Sequence, residues 1–273
     1  MATHPPNDSE RLDFAVKIAR EAGLLTLSRF GSANLQVEHK SDGTPVTLAD
    51  REAEEYLRQQ ISQQYSKDGI LGEELGITEG TSGYHWVLDP IDGTKSFIHG
   101  IPLYTTLVAL LYADQPLLGV IFAPATHELL YAQTGNGCWY EANSHAASPA
   151  GDRAQVSLIT DLSDALFVTS DVESYANDRT VNASSVYDDL AGRCRLTRTW
   201  GDGYGYLLIA TGRAEVMIDP EMNLWDSACL QPIITEAGGS FTDWQGKPSI
   251  HSGDVVATNE ALAEQVLAIT RGK

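Results

Sequence analysis

The sequence of 273 residues predicts a mixed α/β (α+β) protein, with one part at residues 1–150 and another at 151–273. Three observations support this prediction. Apolar residues recur at helical spacing in the first 65 residues, short β-prone runs separated by turn residues fill residues 69–142, and strand and helix signals alternate after residue 155. Because the middle run is mostly hairpin-like, we expect its sheet to be mostly antiparallel.

Two amphipathic helices are predicted at the start of the chain. The first spans residues 9–31, with Ser9 as a possible N-cap and Gly31 as its stop. The second begins at Thr47, which forms a potential capping box with Asp50. The segment HKSDGTPVT between them is polar and rich in turn formers, so the sequence predicts a mobile loop there.

The β-prone runs after residue 69 are broken by Gly, Pro, Asn and Asp. A polar stretch at residues 143–155 separates them from the second part. There the elements expected in order are ALFVTS, a helix over 171–191, RLTRTW, GYGYLLIATG, AEVMID, a helix from about Trp225, GSFTDW, DVVATN and a final helix.

The composition argues against several classes of protein. There are 18 Lys and Arg residues against 37 Asp and Glu, a formal charge of -19, which opposes general binding to nucleic acid or anionic membranes because each phosphate contact needs a cation. Apolar runs such as Thr105–Tyr112 are far shorter than the roughly 20 residues that span a bilayer. The N-terminus lacks the features of a secretory leader. We expect a cytoplasmic protein.

Three cysteines, Cys138, Cys194 and Cys229, are widely separated and form no C-x-x-C motif. The sequence therefore suggests neither a disulfide framework nor a thiolate zinc site, and we expect buried, inert thiols.

The segment WVLDPIDGTKSF, residues 86–97, delivers Asp89 and Asp92 into a turn that contains Pro90 and Gly93. At such a strand–turn–helix junction, carboxylates and free backbone N–H groups face the same space, an arrangement that suits a phosphate held through Mg²⁺. More carboxylates are then expected to converge there, and the candidates are Asp50, Glu73, Glu74 and Asp226.

Each of these residues also has an ordinary structural explanation. Asp, Pro and Gly are common turn residues, and a pair of glutamates after a strand is usually solvated. Asp226 after Trp225 suits a helix start, and Asp50 suits a capping box. A functional site therefore depends on the combination.

Taken together, the motifs resemble the inositol monophosphatase family over nearly the whole chain. They occur in the family's order and approximate spacing: TLAD at 47–50, GEE at 72–74, DPIDGT at 89–94, WDSA at 225–228 and EAGG at 236–239. The resemblance implies an αβαβα layered sandwich of the inositol monophosphatase and fructose-1,6-bisphosphatase type, usually a homodimer. It also implies lithium-sensitive, Mg²⁺-dependent hydrolysis of a small phosphate monoester, with two or three ions per active site.

The resemblance further assigns metal ligands and catalytic groups. The first Mg²⁺ would be held by Glu73, Asp89 and the carbonyl of Ile91, and the second by Asp89, Asp92 and Asp226. Asp50, Thr94 and Glu73 would be catalytic, with Thr94 and Asp50 positioning and deprotonating an attacking water. The N–H groups of Gly93 and Thr94 would bind the phosphate, and Asp226 would also contact the substrate. Lys40 matches a family position near the metals, although an exposed loop lysine explains it equally well.

The substrate is less determined by the motifs. Lys95 and Ser96, with the stretch from Trp200 to Ala228, look like the histidinol-phosphate branch of the family. Asp202 and Asp219 add carboxylates that would suit a cationic leaving group, so histidinol phosphate is the expected substrate. Alternatively, Asp202 caps a helix and Asp219 caps a turn before Pro220.

Two other functions stay open at this point. One is an inositol-1-phosphate phosphatase or a broad sugar-phosphate phosphatase. The other is an RNA- or transcription-associated binding protein on the same fold, which the acidic composition and the complete set of catalytic positions argue against.

Overall fold

The computed structural model describes residues 9–32, 35–41, 43–143, 151–176 and 182–272. Residues 144–150, most of the predicted polar stretch, lie outside these ranges, and so do residues 177–181 within the predicted helix at 171–191. No helix in the described ranges is both long and apolar enough to cross a bilayer.

Two long helices form the first layer, α1 at Ser9–Leu27 and α2 at Leu48–Gln64. The predicted capping box is confirmed at the start of α2, where the N–H of Thr47 donates to Asp50 Oδ2 at 2.8 Å. The predicted loop before α2 contains an antiparallel hairpin instead, β1 at Val37–His39 and β2 at Pro45–Thr47. Strands of three residues are too short to show an alternating pattern in the sequence.

The central layer is a sheet of eight strands in the order β10-β9-β8-β7-β6-β5-β3-β4. It is antiparallel apart from the parallel pair of β3 and β5, so the mostly antiparallel sheet is confirmed. The short helix α3, Thr94–Ile98, follows β5. The strands are β3 at Gly69–Gly72, β4 at Gly76–Thr78, β5 at Tyr84–Asp92, β6 at Thr105–Tyr112, β7 at Gln115–Ala123, β8 at Glu128–Gln133, β9 at Gly137–Glu141 and β10 at Asp152–Arg153.

A second sheet of five strands has the order β12-β11-β13-β15-β14 and mixes parallel and antiparallel pairs. Its strands are β11 at Leu166–Val168, β12 at Leu196–Arg198, β13 at Val216–Asp219, β14 at Gly239–Thr242 and β15 at Val255–Asn259. The helices of this half are α4 at Ala183–Arg193, α5 at Gly203–Ala210, α6 at Leu224–Ser227, α7 at Leu230–Glu236 and α8 at Ala263–Arg271.

Two element boundaries differ from the sequence predictions. The expected helix at 171–191 is instead a 3₁₀ turn at Glu173–Ala176 and then α4, which ends at Arg193. The side chain of Asn182 accepts the N–H of Ser185 and so starts α4 with its own cap. The helix expected from about Trp225 is split into α6 and α7. Strand β10 lies beyond residue 150 but belongs to the first sheet, and the division into two parts at that residue stays a prediction.

The layers alternate as α1 and α2, the first sheet, α5 to α7, the second sheet, and α4 with α8. Successive residues of β5 and β6 point to opposite faces, so both faces of the first sheet are buried. The face toward α1 and α2 carries Trp86, Leu88, Val108 and Leu110, and the face toward α5 and α7 carries Val87, Leu107 and Ala109. The second sheet packs its far face on α4 and α8. The predicted α+β layered sandwich is confirmed.

The contact between β7 and the segment before α7 allows no side chain at Gly119. A Cβ built there would lie 2.1 Å from the carbonyl oxygen of Cys229. We predict that Gly119→Ala lowers the free energy of unfolding by about 1–3 kcal/mol, the usual cost of overpacking. Thermal or denaturant unfolding measures this change. Gly192→Ala in α4 is the control, because nothing lies within 4 Å of a Cβ there. Equal stability of the two variants would show that the backbones move apart without strain.

Candidate active site

The parallel pairing of β3 with β5 brings Glu73 next to Asp89. Gly72, the last residue of β3, is opposite Leu88, and the N–H of Glu73 donates to the carbonyl of Leu88 at 3.2 Å. The residues that follow this pair are Glu73 and Asp89, so two acids lie side by side near the carboxyl ends of neighbouring strands. Asp89 is only 2% exposed. The register of the sheet thus juxtaposes two carboxylates that are distant in sequence.

Asp92 lies just after an irregularity in β5, where its pairing with β6 shifts between Asp89 and Asp92. One carboxylate oxygen, Oδ2, accepts the hydroxyl of Thr105 at 2.7 Å and the N–H of Gly203 at the start of α5. These two donors fix the side chain and direct its other oxygen away from them. Asp92 consequently joins the sheet to the middle helical layer.

Asp226 comes from the middle layer, at the third position of α6. Its Oδ2 accepts the N–H of Asn223 at 2.8 Å, which is one half of a capping box. One oxygen each of Asp89, Asp92 and Asp226 lies within 4.8 Å of the other two. Capping therefore explains the position of Asp226 on its helix, but it does not explain why three carboxylates meet.

Burial and mutual repulsion disfavour the charged forms of these acids. Burial raises the pKa of Asp92 to about 6 and that of Asp226 to about 7, and the charge of Asp92 adds to the effect on Asp226. Burial, together with the charges of Glu73, Asp92 and Asp226, also raises the pKa of Asp89. Such a cluster is stabilised by a bound cation, because a cation offsets both costs.

The donors at this cluster suit a hard divalent cation. All are oxygens, and among the described residues Asp89 Oδ1 is a buried oxygen with no hydrogen-bond partner. A buried unpaired oxygen is costly unless a ligand occupies it. The carbonyl of Ile91, the remaining predicted ligand, accepts the hydroxyl of Thr94 at 3.0 Å. Mg²⁺ prefers a few carboxylates with water and substrate oxygens, and the residues present fit that preference.

Asp50 and Thr94, two of the predicted catalytic residues, lie next to each other. Asp50 Oδ2 accepts two hydrogen bonds from Thr47, so Oδ1 faces the hydroxyl of Thr94 at 3.5 Å. Burial raises the pKa of Asp50, which is 0% exposed, and this makes its carboxylate a better proton acceptor. The hydroxyl of Thr94 can therefore donate either to Ile91 or to Asp50.

Lys40 reaches the acids from the turn between β1 and β2. Its Nζ lies 2.7 Å from Glu73 Oε1 and 2.7 Å from Glu74 Oε1. Although burial favours the neutral amine, the hydrogen bonds to these two acids raise the pKa of Lys40. Lys40 is thus an ion-pair partner of the site. Burial raises the pKa of Glu74 to about 7.

Two neighbouring cavities open beside the carboxylates and share Ser170 and Asp202. The larger, of ≈ 230 Å³, includes Gly93, Thr94 and Lys95 in its lining. The smaller, of ≈ 140 Å³, is lined by Asp92, Ser170, Asp202, Gly203, Tyr206, Asp219, Glu221, Met222, Asp226 and Leu230. That lining has five carboxylates and no lysine or arginine. A cation bound there would favour the ionised forms of these acids.

Asp202 and Asp219 differ in the hydrogen bonds that their carboxylates accept. Asp202 has φ 53° and lies at the N-cap position of α5, but its side chain makes no capping hydrogen bond. The capping alternative for Asp202 is therefore not what the structure has. Burial and the charges of Asp92 and Asp219 raise the pKa of Asp202. Asp219 is 3% exposed and accepts hydrogen bonds from the Tyr206 hydroxyl at 2.9 Å and from the N–H of Ser170 at 3.0 Å.

Sequence reasoning missed Thr105 and Ser170, which hydrogen-bond the acids of the site. Thr105 donates to Asp92, and Ser170 Oγ accepts the N–H of Asp202 at 2.8 Å while its own N–H bonds Asp219. Ser170 ends the run ALFVTS, and polar residues at strand ends are a usable signal. The position of Thr105 opposite Asp92 depends on strand pairing, which the local sequence does not encode.

Comparisons with known sequences and structures extend over nearly the whole chain. The sequence model of the inositol monophosphatase family matches residues 7–272. A histidinol-phosphatase of Chlorobaculum parvum is 43% identical over 94% of this chain and 95% of its own length. A histidinol-phosphatase of Streptomyces coelicolor is 36% identical over 96% of this chain and 97% of its own length. The structure of a Thermotoga maritima protein described as an IMPase superposes with a TM-score of 0.84, at 27% identity, over 96% of this chain and 97% of that one.

Repulsion among the clustered carboxylates should lower the thermal stability of the metal-free protein. We expect Asp89→Asn to raise the melting temperature of the metal-free protein, by about 2–4 °C for each kcal/mol of repulsion relieved. The same change should abolish most of the rise in melting temperature that Mg²⁺ causes in the wild type, because a ligand is lost. Scanning fluorimetry with and without Mg²⁺ measures both effects. Exposed Asp188 of α4 supplies the control, Asp188→Asn, and a normal Mg²⁺ response of Asp89→Asn would contradict the ligand assignment.

Proposed function

The chain belongs to the inositol monophosphatase family, and on that premise we propose that this phosphoric monoester hydrolase acts on histidinol phosphate. Enzymes of this family are metal-dependent. The proposed ion is Mg²⁺, at two or three per active site, held by Glu73, Asp89, Asp92, Asp226 and the carbonyl of Ile91. Its all-oxygen donor set and the unpaired Asp89 Oδ1 support this choice.

When bound, the metal ions supply positive charge that offsets the charge developing on the phosphate and on the attacking and leaving oxygens. The protein contributes the positioning. The N–H groups of Gly93 and Thr94, where β5 ends and α3 begins, are proposed to bind phosphate oxygens. Asp226, which lines the smaller cavity, is proposed to contact the substrate as well as the metal.

Asp50 and Thr94 are proposed to activate the attacking water. The Thr94 hydroxyl accepts a hydrogen bond from the water and passes its own proton toward Asp50 Oδ1, 3.5 Å away. Asp50 is suited to this role because Thr47 holds its other oxygen and because burial raises its pKa. Glu73 aids catalysis as a ligand beside Asp89. Attack is direct, with no phosphorylated protein side chain.

The observation that carries the substrate assignment is the excess of carboxylates in the ≈ 140 Å³ cavity. After Asp92 and Asp226 are assigned to metal, Asp202, Asp219 and Glu221 still line it. A leaving group with an ammonium and an imidazole offsets this negative charge, whereas a neutral cyclitol does not. The identity to the Chlorobaculum parvum histidinol-phosphatase supports the same substrate.

Within this cavity, Asp202 is proposed as the nearer partner of the substrate ammonium, since no hydrogen bond of its carboxylate competes among the described residues. Asp219 is proposed to act more weakly, because its oxygens already accept hydrogen bonds from Tyr206 and Ser170. The similarity to the Thermotoga maritima IMPase favours an inositol-1-phosphate or broad sugar-phosphate phosphatase as the second candidate. We also propose that the protein is a homodimer, as the family resemblance implies, and that it acts in the cytoplasm.

The test of the substrate is phosphate release from histidinol phosphate, inositol 1-phosphate and fructose 1,6-bisphosphate, each with Mg²⁺. We expect the highest kcat/KM on histidinol phosphate. Higher kcat/KM on inositol 1-phosphate would favour the second candidate.

The proposed roles of the cavity acids predict a substrate-selective loss. We expect Asp202→Asn to lower kcat/KM on histidinol phosphate at least tenfold more than on glycerol phosphate, because truncating one partner of a shielded charge pair costs a few kcal/mol. Asp219→Asn should give a smaller selective loss. Parallel assays on the two esters measure the ratio. Equal losses on both esters would assign Asp202 a structural role.

The proposed proton path predicts the effect of changing Thr94. Thr94→Ala should lower kcat by about 10²- to 10⁴-fold, the usual range for a lost proton-transfer group. Thr94→Ser keeps the hydroxyl and is the matched control, expected to retain most of kcat. Steady-state assays at saturating Mg²⁺ measure both variants. An unchanged kcat in Thr94→Ala would remove Thr94 from the path.

A further inference from the structure

A buried glutamate on α2 contacts the turn that carries Glu73. The side chain of Glu54 is 0% exposed. Its Oε2 accepts the N–H of Glu74 at 2.8 Å, and its Oε1 accepts the N–H of Leu75 at 3.1 Å. Hydrogen bonds from backbone N–H groups to a carboxylate are stronger than those to a neutral acceptor. The carboxylate therefore fixes the backbone immediately after Glu73.

Arg58 compensates the buried charge of Glu54. Its Nε donates to Glu54 Oε1 at 2.7 Å, one helical turn away on α2. The guanidinium also donates to Thr78 Oγ1 at 3.0 Å and to the carbonyl of Gly76, so it spans the start and end of β4. A buried carboxylate is tolerated when it is paired and hydrogen-bonded in this way. The pair thus attaches the β3–β4 turn to α2.

The chain before Glu73 packs directly on this carboxylate. A Cβ at Gly72 would lie 2.0 Å from Glu54 Oε1, a separation that no real side chain tolerates. A side chain there would have to displace the Glu54 carboxylate from its hydrogen bonds. Glu54 therefore contacts the backbone on both sides of Glu73, at Gly72 before it and at Glu74 and Leu75 after it.

The same face of α2 carries Asp50. Residues four apart lie one above the other on a helix, so Glu54 is one turn beyond Asp50. Asp50 faces Thr94, and Glu54 faces the backbone of the Glu73 turn. Helix α2 thus sets the position of Asp50, the proposed proton acceptor, relative to Glu73, a proposed metal ligand.

We propose that Glu54 is a positioning residue that fixes the Glu73 turn, and through it the affinity of the site for its divalent cation. This inference rests on the proposed metal role of Glu73. Glu54 itself is not among the proposed metal ligands or substrate-binding residues. Its loss should therefore weaken metal binding, beyond any effect on stability.

Asp68 provides a matched control at the other end of the same strand. It precedes β3, whereas Glu73 follows it. Asp68 is 7% exposed and accepts hydrogen bonds from Ser82 Oγ at 2.6 Å, from Trp86 Nε1 at 3.0 Å and from Arg11. Asp68→Asn therefore removes a buried, arginine-paired carboxylate without touching the Glu73 turn.

The experiment is a titration of the metal-free full-length protein with Mn²⁺ alone, followed by electron paramagnetic resonance, with thermal unfolding of each variant in parallel. We expect Glu54→Gln to raise the Kd for Mn²⁺ at least tenfold and Asp68→Asn to change it less than twofold, although both lower the melting temperature. An unchanged Kd in Glu54→Gln, or an equal loss in Asp68→Asn, would overturn the proposal.

A second variant covers the case in which Glu54→Gln does not fold. Arg58→Gln keeps the Glu54 carboxylate but removes the guanidinium that links it to β4. We expect this variant to raise the Kd for Mn²⁺ at least threefold. An unchanged Kd in Arg58→Gln would then overturn the proposal. Failure of the wild type to bind Mn²⁺ would instead contradict the metal site itself, so the two failures are distinguishable.

Discussion

Convergence of like charges at the carboxyl end of β5 is the constraint on which the rest of the site depends. Without a cation, Asp89, Asp92 and Asp226 repel one another in a buried setting, and burial raises the pKa of each. Hydrogen bonds to the backbone and to carboxylate oxygens hold the acids in place. Glu73 bonds Leu88 through its N–H, and Thr105 and Gly203 bond Asp92. The fixed acids then form a preorganised set of oxygens that could hold a metal ion.

The layered architecture explains why these acids come from different parts of the chain. The first sheet supplies Glu73, Asp89 and Asp92, while the middle helical layer supplies Asp202 and Asp226. That layer packs between two sheets whose facing surfaces are both apolar. Tight packing leaves little freedom, as the contact between Gly119 and Cys229 shows. The apolar core therefore sets the separation between the acids of the first sheet and those of the middle helical layer.

Helix α2 positions both Asp50 and the turn that carries Glu73. Its N-terminal capping box immobilises one oxygen of Asp50 and leaves the other toward Thr94. One turn later, Glu54 and Arg58 hold the turn that follows β3. Asp50, a member of the capping box, thus also faces the hydroxyl of Thr94. The excess of acid over base in the composition has a local counterpart in the cavity beside Asp202.

The sequence by itself determined the helices α1 and α2, the β-prone middle, the capping box and the acidic motifs, because these depend on local periodicity and on residues within a few positions of one another. It missed the hairpin before α2, joined a 3₁₀ turn and α4 into one helix, and gave no place to Thr105 or Glu54 in the site. Only the tertiary structure decided that Gly72 lies opposite Leu88, that Asp219 is engaged by Tyr206 and Ser170, and that Glu54 holds the turn after Glu73. Strand register and side-chain burial follow from packing between segments far apart in the chain, and no local pattern encodes those contacts.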